Sequence, residues 1–283
     1  MQNKPLISIL IVAYNPGEYL RNTLRSCLDQ SYENTEILIL DNASSEDISV
    51  YFPTDTTERA RIRLIKSVGN LGPYRGLNLL LEKAKGDYIA IQDHDDIWQR
   101  EKLEKQITFL ENHREYIGCG TKTVMYYEAD GKYFDYFLGK ENYYTIHPSL
   151  LFRYDGKFRY DTATEYMCDA YSLKKNLCKG EKRIHNLDEA LTLHLIKATS
   201  ANYSYRWHRL TWENVKRAYE LHSFLYATLT IGWEIKRKIA YPILGILGLG
   251  KWVNPIERIP FILTGNTIKI TQGDEWWENL ICK

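Results

Sequence analysis

Four short apolar runs set the rhythm of the first third of the chain: LISILIV (6–12), EILILD (36–41), RIRLIKS (61–67) and DYIAIQD (87–93). Most are too continuous for a sheet with one wet face, so they predict strands buried on both sides. Helical periodicity fills the gaps. PGEYLRNTLRSCLDQ puts Leu20, Leu24, Cys27 and Leu28 on one face, with Asn15 expected as N-cap, Pro16 in the first turn and Glu18 at the capping-box position. GLNLLLEKAKG ends on Gly86, an expected C-cap, and IWQREKLEKQITFLEN reads as a helix that Asp95 or Asp96 would cap. Strands alternating with helices predict an α/β fold with a doubly wound, mostly parallel sheet, in which ligands bind beyond the carboxyl ends of the strands.

The remainder is less regular. Residues 117–210 are rich in tyrosine and contain IHPSLLFR (146–153) and TEYMCDAYSLKKNLCKG (164–180). From Trp212 the pattern turns helical, and the cluster Lys236-Arg237-Lys238 precedes IAYPILGILGLGKWV. Pro242, several glycines and Lys251 make that run a poor spanning helix; an interfacial membrane segment and a buried hairpin or oligomer contact fit it equally. The N-terminal apolar stretch, about eight residues long, is too short for a span and lacks a signal peptide's flanks, which predicts a cytoplasmic setting. Five cysteines without CxxC spacing argue against a disulfide framework and a structural zinc site. With 283 residues, the chain can form one large domain plus an appendage, and its net charge of +1 argues against nucleic acid as a partner.

Polar residues gather at the predicted strand ends: Ala13-Tyr14-Asn15, Asp41-Asn42-Ala43-Ser44, Gly69-Asn70-Leu71-Gly72 and Asp93-His94-Asp95-Asp96. Crowded carboxylates repel and lose hydration, so their clustering calls for a compensating cation or donors. Asp93-x-Asp95 offers hard oxygen ligands suited to Mn²⁺ or Mg²⁺, which complete their shell with substrate phosphates. The spacing is not that of an EF-hand, and neither GxGxxG nor GxxxxGK[ST] is present. A nucleotide would then be held by other means: Tyr14 stacking on the base, Asp41 accepting a base N–H, and the pyrophosphate lying against the metal and the loop of Asn70 and Gly72. Turn-shaping by Asp41 and Asn42, and packing by Tyr14, are the alternatives.

The segments PLISILIVAYNPGEYLRNTLRSCLDQSYENTEILILDNASSED and GNLGPYRGLNLLLEKAKGDYIAIQDHDDIWQREKLEKQI together resemble the nucleotide-sugar-binding half of glycosyltransferase family 2, inverting enzymes of the GT-A fold. The resemblance is close over residues 5–110 and looser over 145–200. It implies a Rossmann-like, mostly parallel sheet flanked by helices in a GT-A domain over 1–210. Within it, 1–116 would form the nucleotide-sugar half and 117–210 the acceptor half, and 211–283 a helical extension.

The resemblance further implies that Ala13, Tyr14 and Asn15 border the nucleotide and Asp41 its base, that Asp93 lies near the ribose or donor sugar, and that Asp95 binds the metal. His94 and Arg75 join the nucleotide-sugar-binding residues; Leu77 occupies the position before Asn78 where relatives often carry a basic residue. Asp169 matches the catalytic base, with Cys168 in place of the family's preceding Glu and Glu165 as the alternative base. His147 falls where relatives frequently place a histidine beside the donor. In LHLIKATS, Leu195 and Lys197 replace the Arg and His of an Arg-x-His segment, and Lys197 is expected on the diphosphate.

The expected reaction is therefore transfer from a nucleoside-diphosphate sugar, a UDP-sugar, to a glycan or lipid-linked saccharide acceptor of the bacterial surface. The enzyme would act at the inner face of the cell membrane with peripheral association. A non-catalytic nucleotide-sugar-binding protein of the same fold is the alternative. A sugar-phosphate nucleotidyltransferase would need a Gly-rich, Arg-containing loop after the first strand, which VAYNPGEYL does not offer.

Overall fold

In the computed structural model, residues 4–129, 131–163, 167–197 and 212–221 are described. The four apolar runs form strands β1 (Ile7–Ala13), β2 (Thr35–Asp41), β3 (Ile62–Lys66) and β4 (Tyr88–Asp93), as expected. They pair in parallel in the order β3-β2-β1-β4, with Ala13 beside Asp41 and Val12 beside Asp93, so their polar ends fall on one edge. Side-chain alternation divides the core between the two faces. Ile7, Ile9, Ile11, Ile37 and Ile39 pack on α1 (Tyr19–Leu28) and α4 (Lys102–Asn112) through Leu20, Leu24, Leu103 and Ile107. Leu10, Leu38, Leu40, Ile89 and Ile91 pack on α3 (Pro73–Leu81) through Leu77 and Leu80. Each such fully buried aliphatic side chain contributes about 1.5–3 kcal/mol. Only β3 departs from two-sided burial: as the terminal strand its residues are half-buried or exposed, which its alternation of Arg and Lys with Ile and Leu explains.

Beyond β4 the sheet continues through β9 (Leu151–Arg153), β6 (Gly118–Tyr127), β10 (Ile184–Ile196) and β5 (Ile97–Trp98). β9 is antiparallel to both neighbours, β6 and β10 run parallel, and β5 closes antiparallel on β10. β7 (Lys132–Tyr136) and β8 (Glu141–Asn142) pair with β6 and β10 off this path. The other short elements are α2 (Thr56–Ala60), α5 (Cys168–Ser172), which runs on into a π-type turn at Leu173–Leu177, and α6 (Trp212–Leu221). Among the described residues no helix is long and apolar enough to cross a membrane. The Lys236 cluster and the apolar run after it lie outside the described residues.

Three predicted caps are corrected. Asn15 does not cap α1, which starts after Glu18; it adopts a left-handed conformation with φ 47°. Asp96 caps no helix, because the residues after it form β5 and α4 begins only at Lys102. Gly86 lies beyond the end of α3 at Leu81, and its lack of a side chain serves a close crossing of backbones instead. A Cβ there would stand 2.5 Å from the Ser8 nitrogen and 2.6 Å from the Tyr88 carbonyl oxygen, while the Gly86 N–H donates to Ser8 Oγ at 2.8 Å.

A buried polar network ties α4 to β5, β6 and the turn before β9. The Lys102 ammonium lies 3.9 Å from the centroid of the Trp98 ring and donates to Gln106 Oε1 at 2.9 Å. Gln106 Nε2 donates to the carbonyls of Cys119 and Ser149 at 2.7 and 2.8 Å, and Trp98 Nε1 to that of Pro148 at 2.8 Å. Burial pulls the Lys102 ammonium down to about 7.

Replacing Gly86 with alanine is expected to reduce stability by about 1–3 kcal/mol through overpacking against backbone. The reading is a lower urea midpoint at unchanged slope. An unchanged midpoint would mean that the two strands have room to separate.

Candidate active site

The three loops after β1, β2 and β3 are stitched together by side chains. Asn15 Oδ1 accepts from the Ser45 N–H at 2.9 Å and its own N–H donates to Ser44 Oγ at 3.0 Å. Asp41 is buried and accepts from the Ser44 N–H at 2.9 Å, so one of its oxygens shapes the turn. Asn42 donates to Asn70 Oδ1 at 3.0 Å and accepts from the Leu71 N–H at 2.8 Å; Asn70 also accepts from the Gly72 N–H at 2.8 Å. Gly72, at φ 75°, delivers the chain into α3 with Pro73 in its first turn, a conformation that glycine allows. Arg75 is exposed on that first turn, and Tyr14, 47% exposed, stands on the rim beside Ala13. Asn42 organises these loops, the turn-shaping role expected of it as the alternative reading.

At the end of β4 the carboxylates take different roles. Asp96 is fully buried: one oxygen meets His194 Nδ1 at 2.8 Å and the other accepts from the Leu195 N–H at 2.8 Å. Its carbonyl accepts from Thr23 Oγ1 at 2.9 Å and from Gln92 Nε2 at 3.0 Å. Asp95 pairs with the Lys197 ammonium at 2.6 Å, and that ammonium also lies 4.3 Å from the centroid of the Tyr19 ring. His94 turns inward, with Nδ1 3.3 Å from the Val12 carbonyl oxygen.

Electrostatics follow from this burial. Desolvation alone would lower the His194 imidazole, but Asp96, helped by Asp93 and Asp95, pushes it up to about 9. Burial, then the neighbouring Asp96 charge, raises Asp93 to about 8. For Asp95, burial would favour the neutral acid; His94 and Lys197 outweigh it and lower the carboxyl below its ordinary range.

Opposite these groups stands α5. Met167, left-handed at φ 45°, turns the chain into it, and strain of this kind is held in place only by its surroundings. The Cys168 thiol donates to the Asp161 carbonyl at 2.9 Å and is buried, with burial pushing it up to about 12. Asp169 is near enough for its charge to act on Asp93, His147, Tyr74 and Tyr160. His147 Nε2 pairs with the Tyr160 hydroxyl at 2.8 Å, and the Tyr74 ring lies 6.1 Å from that imidazole and 5.6 Å from the Tyr160 ring. Burial, then Asp169, holds both tyrosines well above their ordinary range, while burial lowers His147. Tyr74 and Tyr160 carry no motif and were not foreseen. Glu165, the alternative base, lies outside the described residues.

The fit to a divalent ion is mixed. Asp93, Asp96 and His194 each present a ligand atom, all within 4.8 Å of one another, so this group could hold an ion. It would have to draw on Asp96 oxygens already engaged by His194 and Leu195. At Asp95, where the metal was expected, Oδ2 is engaged by Lys197.

His194 binds its proton more tightly in the fold, about 9 against 6.5, so its contribution to stability is complete below pH 6.5 and is lost as pH rises through 9. His194→Gln is therefore expected to be less stable than the wild type at pH 6, with the gap in melting temperature closing by pH 10. A gap independent of pH would contradict the charged pair.

Comparison with known proteins matches residues 8–177 to the model of glycosyl transferase family 2. An uncharacterized glycosyltransferase of Haemophilus influenzae is 41% identical over 112 residues, which are 39% of this chain and 45% of that protein. The Escherichia coli protein named UDP-Glc:alpha-D-GlcNAc-diphosphoundecaprenol beta-1,3-glucosyltransferase WfaP is 38% identical over 109 residues, 38% of this chain and 43% of that protein. The chain thus spans less than half the length of these relatives. Among solved structures, S. aureus TarS 1–349 in complex with UDP-GlcNAc superposes with a TM-score of 0.62 at 18% identity, over 84% of this chain and 75% of that one. A mannosyltransferase of Pyrobaculum calidifontis, in complex with GDP-Man and Mn²⁺, gives 0.55 at 14%, over 77% and 62%. These likenesses show the GT-A fold, and with the family model matching more than half of its length the chain belongs to glycosyl transferase family 2.

Proposed function

We propose that the chain is an inverting glycosyltransferase that moves a sugar from a nucleoside-diphosphate sugar, a UDP-sugar, to a glycan or lipid-linked saccharide of the bacterial surface. The observation that carries this reading is the family match over residues 8–177, whose strand ends bring Ala13 beside Asp41 and Val12 beside Asp93 on one edge. The names of the E. coli relative and of the TarS complex, which mention UDP-Glc and UDP-GlcNAc, support a UDP-sugar donor, and the former also supports a lipid-linked acceptor.

In the proposed step the acceptor hydroxyl oxygen attacks the anomeric carbon, the bond from that carbon to the diphosphate oxygen breaks, and Asp169 takes the hydroxyl proton. The nucleoside diphosphate leaves with the bonding electrons. A positioned carboxylate base of this kind contributes about 10²–10⁴ in rate. Tyr14 and Asp41 would hold the base, with Ala13 and Asn15 beside it, and Asn70, Gly72, Arg75 and His94 would complete the donor side. Mn²⁺ or Mg²⁺ was the sequence expectation at Asp95, with Asp93; Lys197 engages Asp95 Oδ2, so no step is assigned to an ion there. Every role falls to the chain's own residues. A peripheral seat at the inner face of the cell membrane, carried by the Lys236 cluster and the apolar run after it, belongs to the same reading.

Asp169→Asn is expected to lower transfer to acceptor, and slow donor hydrolysis by water, by about 10²–10⁴, with UDP affinity within about threefold of wild type. Calorimetry and a UDP-release assay read the two effects. Unchanged hydrolysis would favour the non-catalytic, nucleotide-sugar-binding alternative. Asp41→Ala is expected to act the opposite way, weakening UDP binding by about tenfold through a lost hydrogen bond.

A further inference from the structure

β10 ends in a run of residues that each grip the β4–β5 turn. His194 and Leu195 hold Asp96, and Lys197 reaches Asp95. The Lys197 ammonium and the Asp95 carboxylate are 15% and 14% exposed, so both have given up most of their water. Such a pair is held more firmly than a surface ion pair, because removing one partner leaves the other charge buried. The face of Tyr19, 4.3 Å from the ammonium, supports the cation further.

Geometry sets the ammonium against a metal ion. A divalent ion of the magnesium type sits about 2.1 Å from a carboxylate oxygen. The ammonium nitrogen, 2.6 Å from Asp95 Oδ2, fills that space and neutralises the charge that would attract the ion. Asp96, the next carboxylate, is taken up by β10 on both oxygens, so an ion at Asp95 would have to compete with His194 and Leu195 to share it. A diphosphate arriving at this edge still needs positive charge, and a lysine on a flexible stem is a competent phosphate binder.

We propose that Lys197 is a built-in counter-cation that takes the place of a divalent ion at Asp95 and binds the diphosphate of the donor directly. Asp95 orients the ammonium, and donor binding persists without a divalent ion. The role on the diphosphate rests on the donor reading given above, whereas the competition with metal rests on the ion pair alone.

The test uses Lys197→Met and, to retain the charge, Lys197→Arg, each checked for a wild-type melting temperature. Calorimetry with UDP is run in chelator and in Mn²⁺, and Mn²⁺ is titrated into nucleotide-free protein by electron paramagnetic resonance. Wild type is expected to bind UDP within about threefold equally in both buffers, and Lys197→Met about tenfold more weakly in chelator, with recovery in Mn²⁺ and in Lys197→Arg. Nucleotide-free Lys197→Met is expected to take up Mn²⁺ about tenfold more tightly than wild type. Loss of wild-type UDP binding in chelator, or equal Mn²⁺ affinity in wild type and Lys197→Met, would overturn the proposal. Failure of UDP, GDP and dTDP alike to bind any variant in either buffer would instead overturn the donor reading, and with it the role of Lys197 on the diphosphate. The Mn²⁺ titration would still decide whether the ammonium excludes the ion.

Discussion

One buried carboxylate holds the site together. Asp96 has no exposure to water, so its charge is tolerable only because His194 and the Leu195 N–H meet both oxygens while Thr23 and Gln92 satisfy its carbonyl. These bonds draw together β4, β5, β10 and α1, elements separated by as much as 99 positions in sequence. They also fix where Asp93 and Asp95 stand. With the clamp in place, Asp96 meets His194 and Asp95 meets Lys197.

The same constraint explains the charge economy of the edge. His194 answers Asp96, Lys197 answers Asp95, and burial holds Asp93 in its protonated range near neutral pH. Across from them the strained turn at Met167 presents Asp169, and the Cys168 thiol packs back against Asp161 rather than toward the site. Cys168 is therefore a packing element of the fold.

The first half of the fold was legible because its signals are local. β1, β2 and β4 are covered on both faces, so their apolar runs are continuous, and the amphipathic face of α1 shows as Leu20, Leu24, Cys27 and Leu28. The second half hides its strands. β10 carries Asp188, Glu189 and Ala190 in its middle, where its register against β6 shifts at a bulge, and that interrupts any hydrophobic period. Caps were misread for a related reason: Asn15 and Asp96 hydrogen-bond to residues 30 and 98 positions away, and no local pattern announces such partners. The strand-end cluster was expected from position and chemistry, whereas the Tyr74–Tyr160 pair and the Asn42–Asn70 link needed the tertiary fold to bring them together.

The central claim is that the edge clamped by Asp96 is the donor site, and a crystal structure of the protein grown with UDP tests it most directly. The account predicts the uracil against Tyr14 and Asp41, the diphosphate within hydrogen-bond distance of Lys197 and the 69–72 loop, and the Asp96–His194 contact intact. A nucleotide bound elsewhere on the surface, or bound at this edge only with Asp96 released from His194, would contradict it.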